Sequence, residues 1–134
     1  MTTPLSIRFT PSLLARLRQR ASAMPGASAA GLAQRLIDEG LRMADHPGVI
    51  FKDGPSGRRA ALAYGPDVWE VTKFLREVDE RGPAAIDAAA EVFALDASRI
   101  TAAIAYYGDY SDEIDAEIAQ ADEASARAEA AWRV

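Results

Sequence analysis

Cysteine is absent from this 134-residue chain, histidine occurs once, as His46, and aromatic residues make up only 7 %. The lack of cysteine excludes a disulfide scaffold, thiolate zinc sites and a catalytic thiol together. A single histidine removes any His-rich metal site and argues against a Ser-His-Asp triad. No apolar run approaches the length of a membrane span, and the opening MTTPLSIRF lacks the apolar middle region of a signal peptide. The expectation is a soluble cytoplasmic protein with no membrane partner. Apolar residues reach 49 %, but much of that is alanine. Such a chain builds a small core and no large enzyme cleft. There is no paired-carboxylate cleft, no nucleophile–base pair and no metal cluster, so no catalytic residue, cofactor or metal is assigned.

What the chain does have is a charge gradient. Residues 1–44 carry six arginines against Asp38 and Glu39, a net +4, whereas residues 109–134 carry Arg127 and Arg133 against eight acids, a net -6. The whole sums to -5. One end suits an anion and the other a different task.

Leu5-Ser6-Ile7-Arg8-Phe9-Thr10 alternates apolar and polar residues, the period of a short strand with one buried face. Pro11 suits the first turn of a helix with Thr10 as its N-cap. Leu13, Leu14, Leu17 and Ala21 then recur at helical spacing, with Arg16, Arg18 and Arg20 on the exposed face. Met24-Pro25-Gly26 breaks this helix, and Ser28 caps a second, whose apolar stripe is Leu32, Leu36, Ile37 and Leu41. A strand and two short helices cannot bury this much apolar surface alone. A second copy solves the problem by pairing the strands into an antiparallel ribbon under four helices.

Residues 4–44 resemble the ribbon–helix–helix family of DNA-binding antitoxins and repressors, on Ser6-Ile7-Arg8-Phe9, Gly26-Ala27-Ser28 and Leu36-Ile37-Asp38-Glu39-Gly40-Leu41-Arg42. The resemblance implies that Ser6, Arg8 and Thr10 face the major groove, where an arginine pairs guanine edges and a serine several bases. It implies that the second helix offers backbone N–H groups at Ala27 and Ser28 to a phosphate. Arg16, with Arg18 and Arg20, adds attraction to the DNA backbone.

His46-Pro47-Gly48 reads as a linker, with His46 capping or facing solvent. Val49 to Ala63 reads as a hairpin turning at Gly54-Pro55-Ser56-Gly57. That turn lacks the Gly-Lys-Ser/Thr ending of a phosphate loop. Three helices follow: one from Asp67 with the stripe Val68, Val71, Phe74 and Leu75, one over Ala84–Phe93, and one over Ala97–Tyr107 behind Asp96. The last two form a helix–turn–helix-like pair. Residues 46–118 resemble a bacterial antitoxin-associated family of unknown function found beside toxins with a PIN-like nuclease fold. The stretches are Gly57-Arg58-Arg59, Asp67-Val68-Trp69-Glu70-Val71, Phe93-Ala94-Leu95-Asp96 and Ala102-Ala103-Ile104-Ala105-Tyr106-Tyr107. Only Arg99 and Thr101 suit a DNA groove there and the module is net acidic, so packing is its expected role.

From Ser111, taken as a cap, an alanine-rich charged stretch predicts one more helix. Its seam is Ile114, Ile118, Ala121, Ser125, Ala128 and Trp132. Residues 111–118 are expected to dock on the middle module, and 119–134 to meet a partner, with Ile118, Arg127, Trp132 and Arg133 as contacts.

The fold expected is mainly α with small β elements: a ribbon–helix–helix dimerisation unit over 1–44, a β-hairpin with a helix–turn–helix-like bundle over 46–110, and an acidic C-terminal helix over 111–134. The two resemblances imply a type II antitoxin. Such a protein is not an enzyme. It is a homodimer or higher oligomer that binds operator DNA as an autorepressor and neutralises a PIN-like ribonuclease toxin through its C-terminal segment. The alternative is a stand-alone transcriptional repressor with no toxin partner.

Overall fold

The computed structural model describes residues 2–133, and the chain is mainly helical with one small antiparallel sheet. The elements run α1 (Pro11–Ser22), α2 (Ala29–Asp45), β1 (Val49–Gly54), β2 (Gly57–Leu62), α3 (Val68–Glu77), α4 (Pro83–Phe93), α5 (Ala97–Asp109) and α6 (Ser111–Trp132). Two compact units divide between Leu41 and Arg42. The last turn of α2 therefore groups with the second unit.

In the first unit both helix starts follow local rules. Thr10 Oγ1 accepts from the Leu13 N–H at 3.3 Å with Pro11 at the first helical position, and Ser28 Oγ accepts from the Gly31 N–H at 3.0 Å. Residues 5–10 form no strand; the one strand pair among the described residues is β1–β2. Pairing needs a second edge, and a single chain offers this segment none. The apolar face stays uncovered. Among the described residues of this unit only Ala21 and Leu32 are buried apolar side chains, while Leu5 is 82 % and Leu41 63 % exposed.

The second unit has the core. The hairpin pairs Val49 with Leu62 through Gly54 with Gly57, and Gly57 at φ +120° occupies backbone space that favours glycine. Val49, Leu62, Val68, Val71, Ala89, Ile100, Ala103, Tyr106, Ile114 and Ile118 form one buried cluster from the hairpin, α3, α4, α5 and the first half of α6. Glu70 accepts the Asp67 N–H at 3.1 Å, fixing the start of α3. Ala94, in the left-handed region at φ +54°, ends α4 and lets α5 begin three residues later, behind Asp96. Ser111 is not a cap: it lies in the first turn of α6, behind Tyr110. Among the described residues no helix is long and apolar enough to cross a membrane.

Candidate functional site

The residues expected to meet DNA lie in the first unit, on residues 5–10 and the two helix starts. Ser6 and Arg8 are exposed, and Arg8, Arg16, Arg18 and Arg20 make no ion pair among the described residues. Four arginines without acidic partners are free to meet an anion. Thr10 is a different case. Its Oγ1 already accepts from Leu13, so the cap uses the hydroxyl that would read a base. The helix start also shifts. The Ala27 N–H is taken by the Met24 carbonyl at 3.2 Å and the Gly31 N–H by Ser28, which leaves the amides of Ser28, Ala29 and Ala30 unbonded among the described residues. A phosphate would meet Ser28 with Ala29 and Ala30 rather than Ala27.

Arg99 and Thr101 on α5 are spent on structure. Arg99 donates to the Ala63 carbonyl, and Thr101 Oγ1 donates to the Ala97 carbonyl at 3.0 Å. Neither is available to a groove.

α6 is held to the rest of the second unit by four cations from three elements. Arg42, in the last turn of α2, pairs with Glu113, Arg76 of α3 with Asp115, Arg59 of β2 with Glu117 and Lys73 of α3 with Asp122. Two of these are closed triads on consecutive tyrosines. Arg42 Nη1 donates to Tyr106 Oη and to Glu113 Oε1, each at 2.9 Å, while Tyr106 Oη donates to Glu113 Oε2 at 2.9 Å. Arg76 donates to Tyr107 Oη at 2.6 Å, and Tyr107 Oη donates to Asp115 Oδ1 at 2.9 Å. Burial works against the charge on Arg42, but its bonds to Tyr106 and Glu113 outweigh that and raise its pKa. Burial pushes the Tyr106 hydroxyl up, so it remains a proton donor to the carboxylate. The Arg76 guanidinium and the Tyr107 hydroxyl hold Asp115 below the ordinary carboxylate range.

His46 belongs to this wall and does not face solvent. It is buried against the rings of Tyr106 and Tyr110, and its Nε2 lies 2.8 Å from Asp109 Oδ2. The Arg42 guanidinium stacks 4.0 Å from the Tyr110 ring centroid. Sequence spacing carried no sign of these pairs, because their members lie far apart in the chain, 63 residues for His46 and Asp109 and 71 for Arg42 and Glu113. The one available hint was the clustering of Tyr106, Tyr107 and Tyr110 with Asp109 on one helix end.

The named partner contacts divide. Ile118 is buried in the core with Ile114, so it is a packing residue and not a contact. The period of α6 places it on the inner face, and the body of the unit still lies opposite there. From Asp122 to Arg133 every residue is exposed. Trp132 is 88 % exposed, and Arg127 and Arg133 pair only within the helix, with Glu123 and Glu129 one turn back. Beside the root of this stretch an open groove of about 740 Å³ is lined by Trp69, Lys73, Pro55, Ala121, Ala124 and Ala128, among others.

Comparison with protein-family models, with curated proteins and with solved structures finds no match to this chain.

Proposed function

We propose that this chain is the antitoxin of a type II toxin–antitoxin pair: a DNA-binding autorepressor at its basic end and an inhibitor of a PIN-like ribonuclease at its acidic end. The observation that carries the reading is the pair of uncovered surfaces on a molecule whose middle is well packed. In the first unit Leu5, Ile7, Phe9, Leu13, Leu36, Ile37 and Leu41 are all exposed, too much apolar surface for a stable unit of this size. A second copy covers it. Residues 5–10 then pair as a two-stranded ribbon, with Leu5, Ile7 and Phe9 turned to the four helices and Ser6 and Arg8 turned to the major groove. Arg16, Arg18 and Arg20 contact phosphates.

At the other end, residues 119–133 of α6 form a helix with no body behind most of it. Trp132 is its one large anchor, and Arg127 and Arg133 are its cations. A PIN-like nuclease holds magnesium with a cluster of carboxylates. An arginine entering that cluster pairs with the acids and competes with the metal.

The test is nuclease inhibition. The magnesium-dependent ribonuclease encoded beside this chain is assayed with the full chain and with a chain lacking residues 119–134. The full chain is expected to abolish cleavage and the truncated chain to leave it intact, while Trp132→Ala weakens the complex by roughly 2 kcal/mol or more. An Arg127→Ala, Arg133→Ala double variant that inhibits as well as wild type rules out metal competition. A truncated chain that still inhibits, or no nuclease beside the gene, refutes the antitoxin reading and leaves a repressor.

A further inference from the structure

The second unit carries an unfilled apolar groove that none of these roles uses. It has a volume of about 330 Å³ and lies between the end of α3, the start of α4 and the middle of α5. Leu75, Ala85, Ile86, Ile104 and Tyr107 supply its apolar walls, and Glu80 and Arg81 stand at its edge. Ile104 is a large aliphatic side chain left 37 % exposed there. The Thr72 hydroxyl in the wall is satisfied by the Val68 carbonyl at 3.0 Å, and Arg76, which also lines the groove, is taken by Tyr107 and Asp115. The site is shaped for an apolar ring.

The same chain ends in an aromatic side chain with no seat. Trp132 lies in the last turn of an unbroken α6, and its own chain leaves it bare. The charges around the two features are complementary. Glu129 and Arg133 flank Trp132 at three residues before and one after, and Arg81 and Glu80 flank the groove. Arg81 is spent on the Val78 and Glu80 carbonyls at 2.6 and 3.0 Å, whereas Glu80 makes no ion pair among the described residues, so seating the ring sets Arg133 against Glu80 in exchange for its exposed pair with Glu129.

We propose that Trp132 of a second copy of this chain docks in the groove between α3, α4 and α5, held by Arg133 against Glu80. The contact is one aromatic anchor with a charged rim, well below the area of a stable dimer interface. It is therefore weak between free chains. It becomes effective where two copies are already joined, because tethering raises the local concentration of the tail to the millimolar range. The docked tail hides an aromatic side chain that its own chain leaves 88 % exposed, and a protein that binds Trp132 has to displace it. The inference does not need the nuclease reading: the groove and the ring are both on this chain.

The full chain tests it by fluorescence, with neither DNA nor nuclease present. The sequence has two tryptophans, so Trp69→Phe leaves Trp132 as the sole reporter. In that background at high micromolar concentration, Trp132 is expected to emit to the blue of free indole and to be quenched by acrylamide several-fold less than a solvated tryptophan. Ile104→Arg, which puts a charge in the groove, is expected to restore full quenching with the helical circular dichroism unchanged. Glu80→Arg alters an exposed position, so it reads the contact without burdening the fold. It too is expected to release Trp132, and adding Arg133→Glu is expected to recapture it. A fully quenched Trp132 in the Trp69→Phe chain overturns the proposal. Protection that survives both Ile104→Arg and Glu80→Arg overturns it as well, since the ring then sits elsewhere.

Discussion

Glu117 is the least ordinary carboxylate in the protein. It is buried in α6 with its partner Arg59 at 3.2 Å, and burial pushes its carboxyl up to about 7, with Arg59 opposing and Glu113 and Asp67 adding to the rise. An acid whose folded pKa lies above its unfolded value binds its proton more tightly in the folded state. Its contribution is therefore fully present below the ordinary carboxyl range and is lost as pH climbs toward 7. Denaturant titrations from pH 4.5 to pH 7 are expected to show stability from this group falling by roughly 1–3 kcal/mol. Glu117→Gln is expected to flatten that window, and an equal slope in both proteins would disprove the assignment. Asp115 has the opposite sign and acts at lower pH, where protonation loosens its pairing with Arg76. The sequence marked none of this. Thr10 and Ser28 were legible as caps because capping is a matter of three residues, whereas the Arg59–Glu117 and Arg42–Glu113 pairs exist only once distant elements are packed.

At the scale of the element, α6 is one helix with two physical lives. Through Ile118 its inner face is sealed by α3 and α5, and past Asp122 every described residue is exposed, with only an open groove between Ala124 and Ala128 and the side chains of Pro55 and Trp69. Its helical period is visible in the sequence and continues to Trp132, with Ser125 as a polar interruption of the apolar run. The end of docking is set by where the neighbouring elements stop, which the period does not record. For this reason Ile118 was expected to meet a partner and lies instead in the core. Calorimetry separates the halves. Ile114→Ala empties a fully buried site and is expected to cost about 2–5 kcal/mol, while Trp132→Ala is expected to change thermal stability by less than about 0.5 kcal/mol. Comparable losses for both would mean that the last turns of α6 are packed on the folded body. The segment 5–10 shows the complementary limit: its alternation was legible, yet a strand needs a paired edge and this segment has none in the single chain.

For the whole molecule, the hairpin, the three following helices and the order of elements were all readable from turn residues and helical spacing, because each is locally coded. The proposed division of labour rests on the unequal distribution of charge and burial: a basic first unit short of core, and a packed second unit whose acidic last helix is exposed in its second half. The central claim is that the basic end reads DNA through the 5–10 segment. Electrophoretic titration of the DNA immediately upstream of this chain's own reading frame tests it most directly, with wild type, Arg8→Ala and Arg16→Ala compared over a range of salt. Arg8→Ala is expected to reduce binding to the level of unrelated DNA while dimer and helicity persist. Arg16→Ala is expected to weaken specific and unrelated DNA alike and to lower the salt slope by about one unit at most. An Arg8→Ala protein that binds the upstream DNA as tightly and as selectively as wild type would contradict the account.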